Sequence, residues 1–543
     1  MRVMRSPGLP LLPESGSWDE LRASFRWPRW RRFNIAEVCC DVWARQEPDR
    51  VALRYIRPEG EERVWTFAML ARAARRFANA LKAQGIGRGD RVAVLLPQTP
   101  ETLITHLAAY RIGAVVVPLF SLFGEDGLHF RMLDSGAKAI VTDQANLPKV
   151  VAIRASLPDL TTVFSIDMRE TDVMGFWQEL GKASDHCELV ATGPDDPAFL
   201  SYTSGTTGPP KGALHGHRVL LGHLPGIGLA HDTLGRPGDR IWTPADWAWM
   251  GGLTNVLLPS LYFGVEVVAH RMAKFDPERA AHLMTRTEVR NTFFPPTALK
   301  LMRQAGVGAV PGLRTVTSAG EALGAELLDW GSGVFGITIN EFYGQTECNA
   351  MIANCSARMP VRPGSAGRAV PGHQVAIVSP SGRPLPPGES GEIAVRAPDP
   401  VMFLGYWNNP EKTAEKFAGR WLLTGDEGTM DEDGYVFFQS RTDDVITSSG
   451  YRIGPTEIED CLSGHPDVAM AGVVGVPDPI RTEVVKAFVV LRDGASSEGL
   501  EAQLVERVRS RISPHVAPRQ LVFVEHLPMT ATGKIQRRIL REV

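Results

Sequence analysis

The sequence predicts an α/β protein: a large N-terminal domain of helix-covered sheets (residues 1–442) that ends in a small β-barrel-like subdomain, and a smaller α+β domain over residues 443–543. Three observations predict it. Short apolar runs alternate with helical stretches through the first part of the chain, the pattern of parallel strands joined by helical crossovers. After Gly372 the texture changes to short strands separated by Pro/Gly turns, as in antiparallel sheet. Finally, 543 residues exceed what one core can organise, and the stretch after Asp443 is long enough for a domain of its own.

Thr66 to Gly85 reads as the first clear helix. Thr66 caps it, Phe67, Leu70, Ala74, Phe77 and Leu81 share one face, and Gly85 ends it. Arg91–Pro97 is a short apolar strand, a helical stretch runs from Glu101 to Gly113, and Ala114–Pro118 is a second strand. The alternation recurs with strands over Asp239–Ala245 and Tyr262–Ala269, then Arg290–Phe294 and Leu313–Ser318. Gln374–Val378 and Gly391–Arg396 form an antiparallel hairpin around a Pro/Gly-rich turn. No internal repeat stands out.

Hydrophobic content of 44% and charged content of 22% are those of an ordinary globular protein. A net charge of −3 gives no reason to expect nucleic acid or an anionic membrane as partner. No apolar run reaches membrane-spanning length, and the N-terminus lacks a signal-peptide core. Cysteines 39, 40, 187, 348, 355 and 461 make no CxxC pair, which argues for reduced thiols and against structural zinc. The basic run Arg22, Arg26, Arg29, Arg31 and Arg32 has the charge of an organelle presequence, but its tryptophans and its position favour a surface segment. The expected location is cytoplasmic, or the mitochondrial matrix in a eukaryotic cell.

The stretch richest in chemistry is Tyr202-Thr203-Ser204-Gly205-Thr206-Thr207-Gly208-Pro209-Pro210-Lys211-Gly212. Glycines let a turn present backbone N–H groups to an anion, hydroxyls add donors, and the lysine brings a point charge for phosphate. A Ser/Gly linker would rarely carry the Tyr-Thr start and the Pro-Pro-Lys-Gly end. It is not a P-loop, because Pro210 precedes Lys211 and Gly212 follows it. The stretch closely resembles the phosphate loop of the adenylate-forming enzymes, which include acyl-CoA synthetases, luciferases and peptide-synthetase adenylation domains.

That resemblance gives roles to other segments. Phe342-Tyr343-Gly344-Gln345-Thr346-Glu347 is similar to the family's Tyr-Gly-x-Thr-Glu element. It implies Tyr343 as the adenine-stacking residue, Thr346 as an α-phosphate donor and Glu347 as the Mg²⁺ ligand, chemistry these side chains can perform. Gly320-Glu321 resembles the adenine-pocket segment, with Glu341 and Gly344 beside it, and Asp426 and Arg441 match the ribose-binding positions. Read alone, Asp426 could equally be a turn residue. Lys534, in Thr530-Ala-Thr-Gly-Lys534, matches the lysine that reaches the carboxylate and α-phosphate during adenylation. Ser449, Gly450, Tyr451 and Arg452 look like the medium-chain acyl-CoA synthetases, where this segment lines the pantetheine tunnel once the mobile C-terminal domain turns about a hinge at Asp443. Arg481 and Arg519 are candidate partners of the CoA phosphates, or solvated surface charges.

The resemblance covers about Phe33 to Arg541 and implies a ligase that uses ATP, Mg²⁺ and coenzyme A on a small carboxylic acid, with acyl-AMP as intermediate. Two other readings stand beside it. A peptide-synthetase adenylation domain would place an aspartate after Ala245 to hold an α-amino group, where we read Trp247-Ala248-Trp249 instead. A non-catalytic nucleotide-binding regulator would have less reason to keep Lys211, Glu347, Asp426 and Lys534 together. The acetate-specific relatives carry tryptophan where this chain has Gly344, so an acyl pocket among Trp249, Met250, Gly251, Ala319 and Gly344 is expected to be open, trimmed by Trp247 and Phe293. Gly344 could instead serve only the backbone turn. The Lys534 motif also resembles a site where lysine acetyltransferases silence acyl-CoA synthetases, which implies a transferase and a deacetylase as partners. A homo-oligomer is compatible with everything above.

Overall fold

The Thr66 hydroxyl accepts from Met69 N, and the helix Phe67–Ala83 follows with the five predicted apolar positions buried. Thr99 caps the helix Pro100–Arg111 in the same way, and a proline at its first turn costs nothing because that N–H has no partner in a helix. The strands Arg91–Leu95 and Val115–Pro118 flank this helix and pair parallel, as the alternation predicts. The computed structural model describes residues 11–543 except 14, 168–170, 204–209, 442–443, 445, 449–450, 479–481, 513, 515 and 531–532, with the backbone alone at 447, 451, 452, 457 and 482.

Two sheets build the large domain. One has eight strands, in the order Gly405–Tyr406, Lys211–Gly216, Pro197–Thr203, Val115–Pro118, Arg91–Leu95, Ala139–Thr142, Thr162–Ser165, Met174–Gly175. Its first three strands are antiparallel to one another and the rest are parallel. The other sheet has fourteen strands. Its parallel half contains Glu266–Ala269, Arg240–Trp242, Asn291–Phe294, Thr315–Ser318 and Asn340–Tyr343. From Asn340–Tyr343 onward every pairing is antiparallel, through Ile352–Ala353, Gly367–Ala369, Tyr435–Arg441, Trp421–Met430, Gly391–Arg396 and Val375–Val378. The predicted hairpin is the last pair of this series, continuous with the main sheet.

Two strand boundaries shift by three residues or more. The strand expected from Tyr262 starts at Glu266, because Leu258–Tyr262 is a helix that ends at Gly264 in the left-handed region. The strand expected over Asp239–Ala245 covers only Arg240–Trp242. Beyond it the chain turns into the loop that carries Trp247 and Trp249.

The C-terminal residues have a five-stranded sheet and a core of their own, with Ile446, Ile453, Ile458, Leu462, Val473, Leu504 and Val508 buried together. At the other end, a capping box between Ser17 and Glu20 opens the short helix Trp18–Ser24. Phe25 and Trp27 then pack on Gly372, where φ is +101° and a Cβ would lie 2.4 Å from the Phe25 ring. Trp27 Nε1 also donates to the Gly372 carbonyl at 2.9 Å. The basic run is thus folded onto the domain with its arginines exposed.

His106, His215, His217, His223 and His231 are fully buried, and burial holds them neutral with pKa values of about 3 to about 4. An unfolded chain would protonate them near 6.5, so each stabilises the fold above that pH and destabilises it progressively below, by about 1.4 kcal/mol per pH unit. Burial raises Asp246 to about 6, Asp460 to about 7 and Glu341 to about 8, and these act in the opposite sense: their contribution is present at acid pH and lost as pH rises through those values. The five histidines outnumber the three carboxylates lifted furthest, to about 6 or above. The thermal midpoint should therefore fall between pH 6.5 and pH 5, and a midpoint that rises over that interval would contradict the assignment.

Candidate active site

The strand Asn340–Tyr343 lies where parallel pairing gives way to antiparallel, and ligands of open α/β sheets gather at the carboxyl ends of strands beside such a change. Tyr343 closes this strand. Its phenol donates to Asp426 Oδ2 at 2.6 Å, and Gln345 Nε2 donates to the same oxygen at 2.7 Å. Asp426 Oδ1 is buried without a hydrogen bond, 3.5 Å from Arg441 NH1. Asp426 and Arg441 are cross-strand partners, so the register of two adjacent strands brings them together. An acceptor left open beside a guanidinium suits a hydroxyl-bearing ligand such as ribose.

A second cluster joins the lysine of the phosphate loop to Glu347. The loop connects Pro197–Thr203 to Lys211–Gly216, two antiparallel strands in which Thr203 pairs with Lys211. Ser204, Gly205, Thr206, Thr207 and Gly208 lie outside the described residues. Lys211 Nζ sits 5.0 Å from the centre of the Tyr406 ring, and Tyr406 donates to Glu347 Oε1 at 2.5 Å. Burial and the Glu347 charge push the Tyr406 pKa up, so it stays a donor. Thr346 is half-buried beside them.

Lys534 closes a crevice lined by Trp249, Pro295, Pro296, Thr297, Ala319, Gly320 and Glu321. Thr297 Oγ1 donates to the Gly533 carbonyl at 3.2 Å and fastens the lysine loop to the large domain. Lys534 is exposed to water although it stands at the boundary of the two domains, so its desolvation is partial. That desolvation lowers its pKa, while Glu321, Asp426 and Glu347 favour the charged form. Burial raises Glu321 in turn, against the pull of Lys300 and Lys534. Glu341 accepts from Leu323 N at 3.3 Å, and burial lifts it to about 8, so it carries a proton at neutral pH.

The Trp249 indole nearly fills the crevice, leaving about 10 Å³ open. A Cβ on Gly320 would lie 3.3 Å from that ring and one on Gly251 only 2.5 Å away. Met250 and Ala319 are buried behind it, and Phe293 packs at 5.8 Å. Gly344 has another reason to be glycine than the one expected. Its Cβ would point at backbone, 2.4 Å from Ala350 N and 2.6 Å from Asn349 Cα, so a close turn and not an open wall excludes a side chain there.

Asp246 corrects the sequence reading as well. An aspartate does follow Ala245, but its carboxylate accepts from Ala248 N at 2.8 Å within its own turn. Asp443, Ser449, Gly450 and Arg481 lie outside the described residues, and of Tyr451 and Arg452 only the backbone is described, in the strand Tyr451–Ile453. Arg519 is exposed. Arg519 does not line the Lys534 crevice. Sequence reasoning missed Tyr406, Thr297 and the part Gln345 plays. Gly405-Tyr406-Trp407 carries no pattern that separates it from an ordinary strand end, and only the fold brings it to Glu347.

Comparison with known proteins agrees with this geometry. The AMP-binding enzyme family matches residues 40–407, and the AMP-binding enzyme C-terminal domain matches residues 457–534. The chain belongs to the AMP-binding enzyme family, as an AMP-forming acyl-CoA synthetase. Human mitochondrial acyl-coenzyme A synthetase ACSM4 is 37% identical over 537 residues, 95% of this chain and 91% of that protein. Among solved structures, the anthranilate CoA ligase AuaEII in complex with anthranoyl-AMP superposes with a TM-score of 0.87 at 29% identity, covering 95% of this chain and 98% of that one. ATP-bound MatB from Rhodopseudomonas palustris gives 0.84 at 29% identity, over 94% of this chain and 98% of that one.

The Gly344 contacts make a prediction for the synthetase. Gly344→Ala should lower stability by about 1–3 kcal/mol, the range for forcing a methyl into packed backbone. The thermal midpoint reads it, and an unchanged midpoint would show that residues 349–350 yield freely.

Proposed function

We propose that the synthetase activates a monocarboxylic acid of about four or more carbons, aliphatic, branched or aromatic, whose apolar body is stabilised by burial. The observation that carries this reading is Lys534 standing at the mouth of a crevice walled mainly by Trp249, Pro295, Pro296 and Ala319, whose described lining offers no second cation to hold a further carboxylate; Trp249 would turn aside to admit the acid. In the first step the acid's carboxylate attacks the α-phosphorus of ATP and pyrophosphate leaves. In the second the CoA thiol attacks the acyl carbonyl and AMP leaves. The carboxylate is already nucleophilic, so the protein supplies orientation and charge neutralisation in place of an acid–base pair.

Lys534 would balance the charge growing between acid and α-phosphate, with Thr346 donating from the other side. Thr203 to Gly208 and Lys211 would hold the outer phosphates. Tyr343, fixed by Asp426, would stack on adenine beside Gly320, Glu321 and Glu341, and Asp426 Oδ1 with Arg441 would take the ribose. Glu347 fits a magnesium ligand: Tyr406 engages Oε1 only, and Mg²⁺ is commonly held by one carboxylate together with substrate phosphates. Bound there, the ion would neutralise phosphate charge. After a turn at Asp443, Ser449, Gly450, Tyr451 and Arg452 would line the path of the thiol arm, with Arg481 and Arg519 toward the CoA phosphates. Acetylation of Lys534 would remove its charge and block the first step. The relatives' mitochondrial location extends to this chain in a eukaryotic cell, with the cytoplasm as the bacterial counterpart.

Acid-dependent ATP–pyrophosphate exchange and AMP release, over acids from acetate to dodecanoate with branched and aromatic members, test the reading. Lys534→Ala should lose exchange by about 10²-fold or more while supplied acyl-adenylate and CoA still yield thioester. Exchange that needs no acid, or a variant that fails equally in both half-reactions, would refute it. Trp249→Ala should favour bulkier acids by on the order of tenfold in kcat/KM relative to wild type. An unchanged acid profile would remove Trp249 from the pocket.

A further inference from the structure

Tyr406 is the residue the activity does not yet account for. The segment around it is fastened on both sides. Leu404 N donates to the Leu214 carbonyl and Trp407 N to the Gly212 carbonyl, each at 2.7 Å, which pins it to the strand leaving the phosphate loop. Phe403 N donates to the Glu347 carbonyl at 2.8 Å, and Met402 bridges Cys348, which pins it to the Glu347 chain. Between these anchors the buried Tyr406 side chain touches one functional group with each of its parts. Its hydroxyl reaches Glu347 Oε1 at 2.5 Å, and its ring face lies under Lys211 Nζ at 5.0 Å.

A carboxylate that must take a metal cannot also rotate freely, because its remaining oxygen then has no fixed place. The long side chain of Lys211, on the first residue of its strand, has the same difficulty. One rigid ring with two χ angles addresses both, by a hydrogen bond to an ionised acceptor and by cation–π contact. We propose that Tyr406 is a positioning residue of the adenylation step: it engages Glu347 Oε1 so that the other oxygen would be left for the metal, and it holds Lys211 against its ring face, from where the lysine would meet the outer phosphates. The proposal rests on Glu347 as the magnesium ligand of the ATP-dependent reaction.

Tyr406→Phe tests it in the full chain, since it removes the hydroxyl and keeps the ring beneath Lys211. Mn²⁺ binding in the presence of a non-hydrolysable ATP analogue, followed by electron paramagnetic resonance, should weaken by roughly tenfold to a hundredfold, the range for losing a hydrogen bond to a charged group. The Mg²⁺ concentration for half-maximal exchange should rise in parallel. Thioester formation from supplied acyl-adenylate should stay within about twofold of wild type, because that step uses neither the metal nor the outer phosphates. In a Glu347→Gln background the same substitution should have no further effect on Mn²⁺ binding. Wild-type Mn²⁺ affinity in Tyr406→Phe, an equal loss in both half-reactions, or failure to fold would each overturn the proposal and leave Tyr406 as core. If the wild type binds Mn²⁺ with the analogue but no acid supports exchange, the activity reading fails while the metal titration still decides the role of Tyr406.

Discussion

The strand Asn340–Tyr343 is the seam on which the site depends. On one side it pairs parallel with Thr315–Ser318, which delivers Ala319, Gly320 and Glu321. On the other it pairs antiparallel with Ile352–Ala353, and through the next strands with Asp426 and Arg441. The return from Tyr343 to Ile352 is tight. Ala350 adopts a positive φ of 51°, and a Cβ on Gly226 would come 2.7 Å from its carbonyl. A chain packed this closely on every side has few other ways to lie, and residues 344–347 inherit that rigidity.

Asp426 and Glu347 each have one oxygen engaged and one left open. Asp426 gives Oδ2 to Tyr343 and Gln345 and leaves Oδ1 buried and unbonded. Glu347 gives Oε1 to Tyr406. A buried polar atom without a partner destabilises a fold by about 1–3 kcal/mol, so such an arrangement is expected where a ligand completes the network. Partial satisfaction also removes the freedom a lone carboxylate would have, and binding then has less order to impose.

How much was legible in the sequence follows from the range over which each feature is determined. The helix Phe67–Ala83 and its Thr66 cap depend on neighbours within a few residues, and they lie where the periodicity puts them. So do the parallel strands around it. Tyr262 went the other way: an apolar residue before Gly264 suits a strand as well as a helix end, and only packing against the surrounding helices decides. The site residues were found through motifs, which mark the groups that touch ligand. Motifs are silent about Tyr406 and Thr297, whose partners are 59 and 236 residues distant. Gly344 shows the same limit from another side, since its need for glycine comes from the backbone at 349–350 and not from the space an acid would occupy.

The contact between the two domains is polar where a permanent one would be apolar. Glu326 faces Arg303 of its own domain at 3.3 Å and Arg507 of the C-terminal one at 3.5 Å, and Thr297 meets Gly533. Asp460 is lifted to about 7, first by burial and then, against the pull of Lys300, by the negative charges of Glu459, Glu321 and Glu326. Carboxylates from both domains therefore crowd one boundary, and the Glu326–Arg507 pair across it is long, at 3.5 Å, with a half-exposed carboxylate. The strong pairs lie elsewhere: Arg537 with Glu459 and Asp444, and Arg541 with Asp444, are all inside the C-terminal domain. That domain is thus held together more firmly than it is held in place. A body built so could present Lys534 to the large domain and leave again without losing its own fold, as the proposed two-step reaction would require of it.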